Sequence, residues 1–399
     1  MRPRSLPAAR RALRRALPAV LPAVLPAVLP AVLLGLVVVP AGSAAAAPRP
    51  VTVTDLGSFG GSYTVARAVN ERGQAVGYSQ LADGSAFHAF VWQNGTLTDL
   101  GTLGGPNSFA SAINDKGHVV GSSDTADGER HAFLWRNGRM TDLGTFDGGT
   151  ASTAMKITET DIVLGASARD GAGQFRPFVW RGGSMQMIDR PDWFGINASA
   201  VNDRGQVVGT GIVQKAGGGF DEHGYLWQNG RLTEITPRVA GGSVRATDID
   251  RCGRIVGTAA GEDGTSRAFV LSRGRMTLLG TLGGGRDEPQ AINDRGTVAG
   301  GSFAPDRTTR VVLWRSGRIA DLGFGTFVDL NDRDDVLYET QGPDMGQRTA
   351  FLRRGATVTQ LPAPAGQQEI QAVDLNDRGQ VVGTVRAADE TQRAVIWQS

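Results

Sequence analysis

The sequence predicts an all-β fold, a β-propeller of eight four-stranded blades closed by an N-terminal strand, with a seven-bladed ring as the alternative. Three observations predict it: two tracts that recur in step, turn signals between the apolar runs of each repeat, and termini that complete one repeat between them. The first tract reads "RAVNERGQAVGYS", "SAINDKGHVVGSS", "MKITETDIVLGAS", "SAVNDRGQVVGTG", "TDIDRCGRIVGTA", "QAINDRGTVAGGS", "VDLNDRDDVLYET" and "VDLNDRGQVVGTV". The second begins as "FHAFVWQNGTLTDLG" and "RHAFLWRNGRMTDLG" and ends the chain as "QRAVIWQS". The period is 38 to 48 residues and usually near 44. Self-similarity at that spacing marks blades of about 40 to 50 residues, each of four antiparallel strands.

Within a unit, the first and second strands meet at Asn-Asp-x-Gly, where the Asx side chain bonds the backbone and glycine takes a positive φ without steric cost. Gly73, Gly117, Gly205, Gly253, Gly296 and Gly379 hold that place, and Asp161 and Asp334 are the exceptions. Aspartate visits the left-handed region more readily than most residues, so the exceptions fit the same turn. The second and third strands are joined by longer, variable loops such as "DTADGER" and "AGEDGTSR". The third strand, as in "HAFLW", is apolar throughout, as a strand covered on both faces should be. "RNGR", "QNGT" and "RSGR" give two-residue hairpins into the fourth strand. "LGTLGG", at residues 100 to 105 and again at 279 to 284, then leads to the next unit. A phosphate loop needs a following helix and a Lys-Ser/Thr pair, and neither is there, so these glycines read as crossovers between sheets.

The termini set the topology. The chain ends after a third strand, "AVIW", and the repeats begin with an unpaired fourth strand, "VTVTDLG". Pairing residues 368 to 399 with 51 to 57 would finish the last blade and cover its edge. Residues 51–399 thus read as a single propeller domain of eight repeats. Residues 1–47 read as a secretory signal peptide: six arginines, a long apolar run interrupted by proline, and "AGSAAAAP". Of 41 basic residues, removing those six leaves 35 against 39 acidic ones. A mildly acidic body disfavours a nucleic-acid partner. Cleavage would leave no membrane span, and a monomer is expected. Cys252 is the one cysteine, so no disulfide forms within the chain, and it is expected as a free thiol on an exposed turn.

The composite "LGTLGG…AINDKGHVVGSS…HAFLWRNGRMTDLG" resembles the HAF-repeat family of probable extracellular repeats, named for the His-Ala-Phe seen here at His88 and His131. The resemblance covers residues 51–399 and implies a secreted repeat protein, with no activity or catalytic residues to carry over. Later units depart from it, with Arg176, Arg267, Arg310 and Arg393 in place of the histidine.

The search for chemistry is mostly negative: no HExxH, no CxxC and no GxSxG with a histidine partner. No catalytic residue, metal or cofactor is expected. His88, His131 and His223 start third strands and read as blade surface, as does His118 after its turn. Asp115, Asp203, Asp294, Asp332 and Asp377 read as turn formers spread around the ring, too far apart for two to act on one bond. The expected function is a secreted, non-enzymatic binding module for an extracellular glycan or partner protein. The alternative is a propeller hydrolase or lyase with its site at the channel mouth. One crossover stands out, "DRPDWFGIN", beside the loop "VQKAGGGFDEHG". Trp193, Phe194, Arg190, Asp192, Asp221 and Glu222 form the candidate ligand site there, suited to stacking a sugar or anchoring a protein. Alternatively Trp193 plugs a gap between blades.

Overall fold

A computed structural model describes residues 50–168, 174–215, 217–236, 242–260, 264–342 and 348–398. The signal-peptide expectation for residues 1–47 lies outside the described residues. The regular elements described are all β-strands. Innermost in successive units are Gly60–Val69, Gly104–Ile113, Ser152–Ile157, Gly195–Val201, Val244–Ile249, Asp287–Ile292, Thr326–Leu330 and Gln367–Leu375. Six units form separate four-stranded antiparallel sheets in chain order. The first and last are joined in an eight-stranded sheet through a single parallel pair, Tyr63 with Gln392. Thr52–Asp55 pairs antiparallel with Gln392–Gln398, setting Val53 opposite Trp397 and Asp55 opposite Val395. Repeated four-stranded sheets of this kind make a β-propeller.

The turns form as their residues require. Asn70 Oδ1 accepts the N–H groups of Arg72 and Gln74 at 3.0 and 2.9 Å, closing the first turn over Gly73, whose φ is 75°. Asp161 and Asp334 take φ of 60° and 66° at the same place, so both exceptions adopt the glycine conformation. The Asn94–Gly95 hairpin has φ of 50° and 85°, positive at both central residues as a type I′ turn demands. Cys252 lies exposed on its turn.

The core lies between units. Val76, Ala89, Val91 and Leu100 of the first unit pack against Ala110, Val119 and Phe133 of the second. A sheet with two apolar faces needs a neighbour on each, so no unit buries its own surface alone. The inner strands also bulge, as between Ala66 and Ala68, which drives a carbonyl toward the second strand. A Cβ on Gly77 would sit 1.8 Å from the Val65 carbonyl oxygen, which is why glycine stands there.

Leu56, 3% exposed, belongs to the core shared by Phe90, Trp92, Val382 and Ile396. Removing residues 50–57 takes away that side chain and the strand covering Gln392–Gln398. Loss of about 3 kcal/mol or more is expected, from the buried leucine and the ladder together. Thermal unfolding followed by circular dichroism should show a melting point several degrees lower; an unchanged one would mean that the strand contributes nothing.

Candidate functional site

The inner strands end around one cavity of about 460 Å³, lined by residues of all eight units. One full ring of side chains lines it, and Asp248 joins that ring from a second layer. The outer layer is the residue after each turn Asn. Asp115 Oδ1 accepts the N–H of Glu71 in the preceding unit at 2.7 Å, and Asp377 accepts that of Asp332 at 2.7 Å. Glu71 in turn accepts the N–H of Asp377 at 2.6 Å. These aspartates were expected to be turn formers held far apart. The turn is instead held by the asparagine, and the carboxylates stitch neighbouring units and line a single cavity. Arg251 takes the carboxylate's place in the fifth unit and pairs with Asp294 and Asp332.

The second layer lies deeper, two residues before the turn Asn, just past the inner-strand bulge. That position is Ala68, Ala112, Ala200 and Ala291 in four units, but Lys156, Asp248, Asp329 and Asp374 in the others. The three aspartates are half-buried, and Asp248 among them borders the cavity. Each carboxylate reaches the next unit. Asp248 accepts the N–H groups of Ile249 and Ile292, both at 2.9 Å. Asp329 accepts those of Leu330 at 2.8 Å and Leu375 at 2.9 Å, and Asp374 accepts that of Val69 at 2.7 Å.

Asp329 and Asp374, on adjacent inner strands, lie close enough for each to influence the other's proton. Burial raises the affinity of all three carboxyls for a proton. For Asp374 the negative charge of Asp329 adds to burial and holds it well above the ordinary value of 3.8. For Asp329 the rise from burial is opposed by two backbone N–H donors, by Asp374 and by the charge of Lys156. The pair as a unit therefore holds a proton more tightly than an isolated carboxyl does. Such a pair offers a general acid and a general base side by side.

Sequence reasoning missed this layer. The signal was present in the aligned tracts as departures from alanine, in "KIT", "DID", "DLN" and "DLN" against "AVN" and "AIN".

The expected ligand residues lie elsewhere, on the crossover side. Trp193 is 5% exposed and packs on Gly211, where a Cβ would fall 1.8 Å from its ring, and near Tyr225 at 6.0 Å. It fills a gap between strands and has no free face for a sugar, which corrects the stacking expectation. Phe194 is 61% exposed and lies 5.1 Å from Phe220. The charges are engaged: Arg190 with Asp192 and Glu234, Asp221 with Lys215, and Glu222 with Arg245. The histidines are partnered too, His88 with Asp99 at 2.7 Å, His131 with Asp142 at 2.8 Å, His223 with Glu234, and His118 with Asp161 at 2.9 Å.

No family model and no curated protein matches the chain. Among solved structures it is similar to dipeptidyl peptidase 4 of Porphyromonas gingivalis, with TM-score 0.57 and 10% identity over 84% of this chain and 58% of that one. It is also similar to a prolyl endopeptidase structure, with TM-score 0.51 and 14% identity over 83% and 56%. A third is the β-propeller domain of the Trilobed protease from Pyrococcus furiosus, with TM-score 0.49 and 13% identity over 75% and 98%. The chain spans little more than half the length of the first two. At these identities the likeness shows the fold. The expectation of a non-enzymatic binding module is corrected against the first two of these neighbours, both peptidases, and the hydrolase alternative is the one carried forward.

The protonated state has a measurable sign. Asp374 binds its proton more tightly folded than unfolded, so between pH 3.8 and its raised folded value the folded state carries the extra proton. Stability from this group is full below 3.8 and falls as pH rises through that window. Asp374→Asn, which mimics the protonated acid, should gain stability relative to the parent as pH is raised from about 3 to about 9. Paired melting curves across that range check it; divergence in the opposite direction would place an ionised carboxylate at residue 374.

Proposed function

We propose that the chain is a secreted, eight-bladed propeller closed by Thr52–Asp55, and that it hydrolyses amide bonds of peptides at the Asp329–Asp374 pair. The ring reading is supported by the pairing of Thr52–Asp55 with Gln392–Gln398 and by bonds from the eighth unit to the first, Val69 N–H to Asp374 and Asn376 Nδ2 to the Asn70 carbonyl at 2.9 Å. Secretion and membership of the HAF-repeat family rest on the N-terminal segment and the repeated motif.

One observation carries the hydrolytic reading: Asp329 and Asp374, two acids on neighbouring inner strands that each hold a proton more tightly than a free carboxyl, stand at a position where sister units have alanine. Each acid also accepts a backbone N–H of the next unit, whereas four sister units have alanine there. The peptidase neighbours support a peptide as the substrate class.

The chemistry balances. Asp329 takes a proton from water as the water oxygen attacks the carbonyl carbon, and the C=O electron pair moves onto oxygen. That pair returns as the C–N bond breaks, and Asp374 gives its proton to the leaving nitrogen. The product acid and amine leave, and the proton now on Asp329 passes to Asp374, restoring the pair. Activity needs the pair singly protonated. It should rise as Asp329 ionises and fall as Asp374 loses its proton, giving a bell-shaped pH profile.

The test is hydrolysis of a mixed peptide library by residues 48–399, followed by mass spectrometry across pH. Cleavage with a bell-shaped profile, reduced about 10²-fold or more in Asp329→Asn with an unchanged melting point, is expected. Absence of cleavage at every pH would sink the reading.

A further inference from the structure

Between the third and fourth units, on the crossover side, lies a second cavity of about 510 Å³, walled by Phe175, Phe194 and Phe220. The three rings are 48%, 61% and 52% exposed, although each sits on fixed backbone. Phe175 pairs with Ala168 and Phe220 with Gln214 at strand ends, and the Phe194 N–H donates to the Ile212 carbonyl at 2.8 Å. Ile196 and Ile212 complete the apolar lining. The space beside Ile212 is open because Gly195 stands opposite it. Neither conformation nor packing asks for that glycine: its φ lies outside the left-handed region, and among the described residues a Cβ there would meet only Ile212, at an ordinary 3.7 Å. Aligned units hold Tyr63, Asn107, Arg286 and Glu369 at the same place. A strand glycine without such a cause marks a position kept clear for close approach from outside.

We propose that this cavity is a subsite for one large apolar side chain, aromatic or branched aliphatic, of a peptide. Size selects the occupant. A phenylalanine carries about 150–250 Å² of surface, so three that are half exposed offer about 300 Å². That suits one inserted side chain, whereas a second copy of the chain would need about 800 Å² on each partner. Charge selects it too. Arg176, the one charged group of the lining, is paired with Asp189 at 3.4 Å and donates to Gln174 Oε1 at 3.1 Å, so a neutral group enters without unbalancing it. Arg176 and the exposed Gln174 also carry N–H donors for the carbonyls that flank a peptide side chain, which a bare hydrocarbon lacks. A preformed apolar pocket with a few polar groups is the usual form of a small-ligand site. The acids of the seventh and eighth units take no part, so the inference does not depend on the hydrolase reading.

The experiment titrates residues 48–399 with the N-acetyl amides of phenylalanine, leucine, alanine and lysine, followed by saturation-transfer NMR. Expected is saturable binding of the phenylalanine and leucine amides, about tenfold or more tighter than that of the alanine and lysine amides. Phe194→Ser, which removes a wall, and Gly195→Val, which fills the space beside Ile212, should each weaken it about tenfold or more with an unchanged melting point. Should Gly195→Val fail to fold, Phe220→Ser gives the same comparison. Equal binding by wild type and variants overturns the proposal, as does absence of binding to every amide. In that second case a dimer that Phe194→Ser dissociates assigns the rings to a second copy, and pelleting with phosphatidylcholine vesicles that it abolishes assigns them to a lipid surface.

Discussion

A side-chain amide handed from one unit to the next positions everything else. Asn70 Nδ2 donates to the Asn114 carbonyl at 2.9 Å, Asn114 to that of Thr158 at 3.0 Å, Asn293 to that of Asn331 at 2.9 Å, Asn331 to that of Asn376 at 3.0 Å, and Asn376 to that of Asn70 at 2.9 Å. These asparagines are buried, so each amide left without a partner would cost about 1–3 kcal/mol. Two units lack the amide and replace it. Where Thr158 stands, Thr160 Oγ1 donates to the Asp203 carbonyl at 3.0 Å, and where Asp250 stands, Arg254 Nη2 donates to the Asp294 carbonyl at 2.9 Å. In both, the acceptor is the carbonyl one residue further along the next unit's turn, so the link between units survives a change of donor and of acceptor, which argues that the distance between inner-strand ends is what matters.

That fixed distance explains how single substitutions can furnish a site. The bulge turns the position two residues before the asparagine toward both the cavity and the next strand. Alanine there is short enough to pack between neighbours, as Ala68 and Ala112 do. An aspartate there finds the next unit's N–H at hydrogen-bond distance without any movement of the backbone. Its charge is then screened poorly, so the second acid beside it takes a proton. The scaffold thus sets the same substitution, made in two adjacent units, side by side as two acids that bind a proton more tightly than either would alone.

Much of the fold could be read from the sequence because its rules are local and repeated. Asn-Asp-x-Gly dictates a turn through φ and a side-chain bond, and even Asp161 and Asp334 obeyed that logic. The site was harder to read. Trp193 and Phe194 were conspicuous as adjacent aromatics, but composition carries no information on which side of a gap a ring lies, and Gly211 opens the space that swallows Trp193. The acids at 248, 329 and 374 carry no motif; their meaning depends on which inner strands stand beside one another, and only the third dimension supplies that. Aligning repeats for sameness found the architecture, whereas the chemistry lies in the positions where the repeats differ.

The Thr52 hydroxyl donates to the Gln398 carbonyl, joining residues 346 apart in the chain. A ribosome delivers the first of these many seconds before the second, at about 5–20 residues per second. Through that interval Val53 and Leu56 have no partner strand, and the units already made expose one apolar face on the growing side. The pairing of Thr52–Asp55 with Gln392–Gln398 can therefore form only after the rest of the chain has been made. Loop-closure entropy grows slowly with length, so the delay costs little in equilibrium stability. Until the two strands pair, Gln392–Gln398 keeps an open edge, the kind of edge that can template pairing with a second chain.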